Sequence, residues 1–167
     1  PEYNLRYFSS KIHQIVENIN NGEGIAYVYS EFKNIGAVCM ALALEMNGYV
    51  RNSDKLSDNN MKNPKRAALP SECFILDISN QQSKWPDNNF RCSICNKLKN
   101  NCLGQADKYT DENGETQKNP NKHDFNLATY VLVTGTDGDI KDIEPAVTEN
   151  KDGKRVRVVI GTKVTGQ

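Results

Sequence analysis

The residues best suited to chemistry are a group of thiols: three of the chain's five cysteines lie between residues 92 and 102. Cys92 and Cys95 form a C-x2-C pair, a spacing that lets one tight turn direct two thiolates at a single metal ion. Cys102 follows shortly after, and His123 lies further along the same polar stretch. Because a tetrahedral zinc site needs four ligands, we predict a Cys3His site made by these residues.

The cysteine pattern leaves several alternatives open. Cys73 is a second candidate for the fourth ligand, and the thiols could instead be unliganded or form a disulfide or redox pair. Five cysteines without the spacing of a disulfide framework favour a reducing, intracellular compartment, where neighbouring cysteines more often bind metal. A zinc ion with all four positions filled has no open position for water, so we predict a structural rather than a catalytic ion.

Composition and motifs exclude several classes of function. The chain has 21 basic and 21 acidic residues, so any nucleic-acid contact must come from local groups. The sequence contains no G-x-x-x-x-G-K-[ST] phosphate loop, no G-x-G-x-x-G and no H-E-x-x-H. It also has no apolar run long enough for a membrane-spanning helix and does not open with a signal-peptide pattern. The 167 residues therefore show no complete catalytic site of their own.

Two segments have the apolar period of amphipathic helices. In SSKIHQIVENINNG (9–22), isoleucines and a valine recur at helical spacing, with Ser9 or Ser10 as the predicted N-cap and Gly22 at the end. The segment 34–49 is predicted to be a second helix, capped by Asn34 and ended by Gly48. A third, weak helix is predicted over 137–153.

Short β-branched or aromatic runs between these helices indicate strands of a parallel α/β sheet. We predict a buried strand in GIAYVYS and further strands in CFILDIS, ATYVLVTG and KRVRVVIG, at 24–30, 73–79, 128–135 and 154–161. The segment 51–72 has no period and is predicted to be a long loop. The polar segment 80–126, which carries the thiols, is predicted to be an inserted zinc-binding segment.

Three of these segments resemble the second lobe of superfamily 2 helicases. GIAYVYSEFKNIGAVCMALALEMNGY (24–49) resembles motif IV and its following helix, and YVLVTGTDGD (130–139) is similar to the next strand and turn. VRVVIGTKVTGQ (156–167) resembles the start of motif V. The similarity is to the helicase-type nucleoside triphosphatases of poxviruses and other large cytoplasmic DNA viruses, including the early transcription factor kind.

The resemblance implies a RecA-like parallel sheet flanked by helices, with residues 1–167 as a second helicase lobe that is incomplete at its C-terminus. It also implies that strand-end residues hold the backbone of DNA or RNA. Carried over onto this sequence, these are Ser30, Thr134, Gly135, Thr162, Lys163, Thr165 and Gly166. ATP and Mg²⁺ would bind only together with a first lobe, so the isolated chain is expected not to hydrolyse NTP.

The expected function is therefore a share in an NTP-hydrolysing helicase or translocase of viral transcription or replication. The expected partners are the nucleic-acid backbone, the first lobe of the same parent chain and viral transcription proteins, without a membrane. The expected location is the cytoplasmic viral factory or the virion. The alternative is a non-enzymatic, zinc-stabilised interaction module that binds a protein or nucleic acid.

Overall fold

The fold is an α/β arrangement in which helices flank a parallel sheet, as predicted. The computed structural model describes residue 6 and residues 9–53, 56–65, 68–69, 73–75, 87–102, 108–118, 122–135, 150 and 152–163. No helix in these ranges is long and apolar enough to cross a membrane.

The first helix, α1 (Ser10–Asn21), begins and ends where its sequence predicts. Ser9 is the N-cap, and its side-chain hydroxyl accepts a hydrogen bond of 3.3 Å from the backbone N–H of Ile12. Val16 and Ile19 are buried against the sheet, as the apolar period requires. Gly22 follows the last turn and leads into the first strand.

The second predicted helix forms, but its start differs from the prediction. It opens with π-helical turns at Lys33–Val38 and continues as α2 (Cys39–Met46). Asn34 is not the cap, because it lies inside the first turn and no side chain caps this end. Gly48 follows the helix with φ of +90°, a left-handed conformation that glycine adopts at little cost.

Four parallel strands form the main sheet. They are β1 (Ala26–Ser30), β2 (Val50–Arg51), β5 (Thr129–Val133) and β6 (Val158–Thr162). The order across the sheet is β1-β6-β5-β2, and the register pairs Ser30 with Thr162 and Val133 with Gly161. The strand predictions over 24–30, 128–135 and 154–161 are therefore confirmed in position.

Two predicted elements fall largely outside the described residues. Of the strand predicted over 73–79, only 73–75 are described, and these three residues form no strand. The weak helix predicted over 137–153 is described only at 150 and 152–153, where Gly153 N donates 3.2 Å to Asn150 O in a turn. The segment 51–72 is not a loop throughout, because it begins in β2 and contains α3 (Asp58–Lys62).

The main apolar core lies on one face of this sheet, where both α1 and α2 pack. Its buried members include Val16, Leu44, Tyr130, Leu132, Val158 and Ile160. Val131 and Val159 point to the other face and form a smaller cluster with Val156. The prediction that β1 is buried is wrong for this second face: Tyr27 and Tyr29 are exposed, because β1 is an edge strand of the described sheet.

A second apolar cluster supports the cysteine segment. It includes Val50, Leu69, Cys73, Phe90, Cys92, Cys102, Phe125 and Leu127. The antiparallel strands β3 (Lys108–Thr110) and β4 (Thr116–Lys118) form a hairpin between Cys102 and His123 in the sequence. Phe90 and Leu127 place this cluster beside the start of β5, so the cysteine segment packs next to the sheet.

Candidate functional site

Four side chains converge as the cysteine spacing predicts. The ligand atoms of Cys92, Cys95, Cys102 and His123 all lie within 4.8 Å of one another. His123 Nε2 is 3.5 Å from Cys92 Sγ and 3.4 Å from Cys102 Sγ, and Cys95 Sγ is 3.5 Å from Cys102 Sγ. Tetrahedral zinc with Zn–S of about 2.3 Å and Zn–N of about 2.0 Å separates its ligand atoms by roughly 3.5–3.8 Å. These four residues could therefore hold a metal ion.

The backbone around Cys92 explains why the first two thiols point the same way. Cys92 N donates 2.8 Å to Lys97 O, and Asn96 N donates 3.0 Å to Cys92 O, which closes a tight turn. Asn96 has φ of +57°, a left-handed conformation that asparagine tolerates better than most residues. We call residues 92–97 the knuckle, and its turn brings Cys95 back towards Cys92.

The other two ligands are brought in by tertiary contacts. Cys102 follows the single turn Lys99–Asn101 and is buried in the second apolar cluster. His123 lies just before Asn126 and Leu127, which pair with the knuckle. Ser93 N donates 2.7 Å to Asn126 O, and Cys92 forms an isolated antiparallel β-bridge with Leu127. This pairing closes the hairpin-bearing segment back onto the knuckle.

His123, and not Cys73, completes the set. Cys73 is fully buried in the second apolar cluster but lies outside the four-ligand group. All five cysteines are among the described residues, and none of them forms a disulfide. The sequence left the fourth ligand open between His123 and Cys73, and the geometry selects the histidine.

The electrostatics of the knuckle favour a thiolate at Cys92. Its hydrogen bond with Cys95, together with backbone N–H groups such as that of Asn126, holds the pKa of the Cys92 thiol well below its usual range. The same hydrogen bond and burial raise the pKa of Cys95. A cation bound by both sulfur atoms would favour their thiolate forms.

The knuckle also contacts the amino-terminal edge of the sheet. Asn96 Nδ2 donates 3.0 Å to Gly22 O at the end of α1. Arg91, the residue before the knuckle, donates from Nε to Asn47 O at 2.9 Å. Arg157, which is buried before β6, donates to Gly22 O and Gly24 O. An open cavity of about 810 Å³ lies between the knuckle and this edge.

The strand-end residues predicted to bind nucleic acid lie at the opposite edge. Ser30 and Thr162 are paired neighbours at the ends of β1 and β6, and Lys163 is exposed just beyond. Thr134 and Gly135 follow β5, and Gly135 has φ of +84°. We call this edge the carboxyl rim. Thr165 and Gly166 lie outside the described residues.

Two hydroxyls of the carboxyl rim are already engaged within the protein. Ser30 Oγ donates 3.0 Å to Phe32 O and accepts 3.2 Å from Phe32 N. Thr162 Oγ1 donates 3.3 Å to Val133 O of the neighbouring strand. Each hydroxyl has one proton, so in this conformation neither is offered to a phosphate oxygen. Both side chains therefore stabilise the backbone of the carboxyl rim, and neither has a hydroxyl proton available for a ligand.

Sequence reasoning missed two residues that shape these sites. Asn96 carries the left-handed turn of the knuckle, and the signal available was its place directly after the C-x2-C pair. Phe32 is 60% exposed beside Ser30, between the apolar runs of β1 and α2. No sequence signal distinguishes it from a core phenylalanine.

Comparison with known proteins gives one distant likeness. No family model matches the chain, and no solved structure matches it. The chain is 24% identical, over 180 aligned positions, to a protein of Acanthamoeba polyphaga mimivirus named "Putative ATP-dependent RNA helicase L377". The alignment covers 98% of this chain and 13% of the mimivirus protein. The chain thus has a distant, helicase-like relationship and spans a small part of its relative's length.

Proposed function

We propose that this chain is the second RecA-like lobe of an NTP-dependent helicase or translocase that acts in viral transcription or replication. It would supply one wall of the NTP cleft and part of the nucleic-acid track. The observation that carries the proposal is the alignment of nearly the whole chain with a helicase-named viral protein. The parallel sheet supports it, because β1, β5 and β6 end along one rim, where ligands of open α/β sheets bind.

The carboxyl rim would hold the nucleic-acid backbone without reading its sequence. Lys163 would supply charge, and backbone N–H groups near Gly135 would supply hydrogen bonds. Ser30 and Thr162 would act by fixing the strand-end turns, since their protons are bonded to backbone oxygens. Thr165 and Gly166 belong to the same proposal through their place after β6.

The hydrolytic chemistry would need a first lobe. These 167 residues contain no G-x-x-x-x-G-K-[ST] loop, so they cannot cradle the phosphates of ATP and its Mg²⁺ ion in that way. The contribution of this chain would be closure against the first lobe around the nucleotide.

The Cys3His group would hold structural zinc within an inserted segment, 80–126. Three thiolates and one imidazole are a donor set that zinc prefers, and four protein ligands leave no position for a reacting water. Among the residues that the structure describes, the cluster that includes Cys92 and Cys102 has eight buried members, so a metal would add stability to a small core.

The proposal is tested by salt-dependent binding of a single-stranded oligonucleotide to the zinc-loaded 167-residue chain, followed by fluorescence anisotropy. We expect weak binding whose affinity falls with salt, because phosphate contacts release counterions. Lys163→Gln should reduce the salt slope by about 0.7, the value for one phosphate of a single strand. The matched control is Lys118→Gln, an exposed lysine on the separate β3–β4 hairpin, which should leave the slope unchanged.

Two results would contradict the proposal. One is the absence of oligonucleotide binding at low salt. The other is NTP hydrolysis by the chain alone, since under this proposal the phosphate-binding loop lies in the first lobe.

A second candidate function is a zinc-stabilised interaction module without catalysis. It is favoured by the open cavity beside the knuckle, which is lined by Lys97, Lys154 and Arg157 as well as by Glu23 and Asp152. The upstream sequence of the parent gene separates the candidates: a phosphate loop there supports the helicase, and its absence supports the module.

A further inference from the structure

The turn after β1 is built around the Ser30 hydroxyl. Ser30 Oγ accepts a hydrogen bond from Phe32 N and donates one to Phe32 O, so both bonds close on the same residue. Gly36 packs directly against this hydroxyl, and a Cβ at that position would overlap Ser30 Oγ and Cβ. The serine and the glycine together fix the backbone at Phe32 in an extended conformation, with φ of −102° and ψ of 125°.

This fixed turn presents an apolar ring to solvent. Phe32, the residue before the helical turns at Lys33–Val38, is 60% exposed, and Ile35 within those turns is 75% exposed, whereas Ala37 is fully buried. Leaving a large apolar side chain in water forgoes the stabilisation that burial provides. A turn that is held rigidly and yet exposes a phenylalanine is better suited to binding than to packing.

The surroundings of Phe32 favour a polyanionic partner. Lys33 follows directly, and the pairing of Ser30 with Thr162 brings Lys163 to the same carboxyl rim. Glu31 is the acidic residue between Ser30 and Phe32, so these three charged groups sum to a single positive charge. Proteins that bind single-stranded nucleic acids without sequence preference combine aromatic side chains, on which bases stack, with lysines or arginines that contact the phosphates.

We propose that Phe32 is a base-stacking residue for single-stranded DNA or RNA whose backbone follows the carboxyl rim. This inference rests on the proposed nucleic-acid function and adds the group that contacts the bases. Ser30 and Gly36 are positioning residues, because they act by holding the ring in place.

The test compares Phe32→Ala with Phe32→Tyr, which keeps the aromatic face, in the zinc-loaded chain. Two fluorescent probes of equal length and charge are used: a mixed-sequence single strand and the same strand with abasic positions in its central part. We expect Phe32→Ala to weaken binding of the first probe by about five- to hundredfold and Phe32→Tyr to bind nearly as the parent does. Binding of the abasic probe should be the same for all three proteins.

The salt slope separates stacking from charge. Phe32→Ala should lower affinity at every salt concentration without changing the slope, because a ring neutralises no phosphate. Circular dichroism and thermal unfolding check that the variants remain folded. We expect them to be folded, because Phe32 is largely exposed and contributes little to the core.

The two failures are distinguishable. If the parent chain binds the first probe and Phe32→Ala binds it equally well, base stacking by Phe32 is overturned while the nucleic-acid function stands. If the parent chain binds neither probe, the proposed function fails and the stacking role fails with it.

Discussion

The hydroxyl of Tyr130 donates a 2.6 Å hydrogen bond to Glu45 Oε1, across 85 positions of sequence. Both residues are buried, Tyr130 on β5 and Glu45 on α2, and the same oxygen accepts 2.7 Å from Ile75 N. A carboxylate removed from water is costly unless hydrogen bonds replace its hydration. This contact therefore joins the helix to the sheet inside the main apolar core.

Replacing Tyr130 by phenylalanine tests the value of that contact. We expect Tyr130→Phe to lower the free energy of unfolding by about 1.5–3 kcal/mol, because a buried carboxylate loses a charge-assisted bond. The matched control is Tyr49→Phe, whose hydroxyl donates 3.0 Å to the neutral Asn20 Oδ1 and should cost about 1 kcal/mol. Urea unfolding of both variants provides the measurement. Equal losses in the free energy of unfolding would show that the hydrogen bond to Glu45 stabilises the fold no more than the neutral bond to Asn20 does.

The same tyrosine predicts a loss of stability at alkaline pH. Burial and the negative charge of Glu45 raise the pKa of Tyr130 above its ordinary value of 10.0. The native state then keeps a proton that the unfolded state loses, so the contribution is complete below about pH 10 and falls as the pH rises further. The free energy of unfolding of Tyr130→Phe should therefore decline less steeply above pH 10 than that of the parent chain. If the free energies of unfolding of the two proteins decline equally steeply above pH 10, the raised pKa of Tyr130 is contradicted.

The metal centre predicts a difference between two substitutions. We expect about one zinc ion per chain by elemental analysis after exhaustive dialysis, because the four ligands form one closed site. His123→Ala should lose most of this metal, whereas Cys73→Ala should retain it, even if the loss of a buried side chain costs stability. Folded parent protein without metal would refute the site, and metal loss in Cys73→Ala alone would reassign the fourth ligand.

Two glycines with left-handed backbones predict unequal costs of substitution. Gly48 has φ of +90°, and a Cβ there would meet the backbone at Asn89 and Arg91. Gly114 has φ of +79° in the exposed hairpin turn, and a Cβ added there would have no neighbouring atom within 4 Å. Gly114→Ala should cost about 1 kcal/mol from backbone strain alone, and Gly48→Ala more than about 2 kcal/mol. Thermal unfolding that ranks them in the opposite order would contradict this account.

The strands that could be predicted are those whose own residues have the composition of a β-strand. β5 and β6 are rich in β-branched residues and almost fully buried, as strands covered on both faces of a parallel sheet require. β2 is only Val50–Arg51 and has no period, because its pairing with Thr129 is set by tertiary contact. The burial of β1 was misjudged for a related reason: its place at the edge of the described sheet depends on strand order, which composition does not encode.

The convergence of the four side chains that could hold a metal ion was predictable, because the spacing of thiols is itself a geometric constraint. The choice between His123 and Cys73 was not, since it depends on how the chain returns from the hairpin. That hairpin was missed although Asn113-Gly114 is a turn signal, because its strands are polar and do not alternate. At the carboxyl rim, the residue types of Ser30 and Thr162 gave no indication that backbone oxygens already accept their protons.

The position of β6 between β1 and β5 has a consequence for biosynthesis. Ala26 pairs with Val158, so the first strand leaves the ribosome long before its neighbour is translated. Until then the nascent β1, with its exposed tyrosines, has no partner on that side among the described strands, and such an edge is prone to pair with other chains. The four residues that could hold a metal ion, from Cys92 to His123, are translated within this interval and therefore before β6.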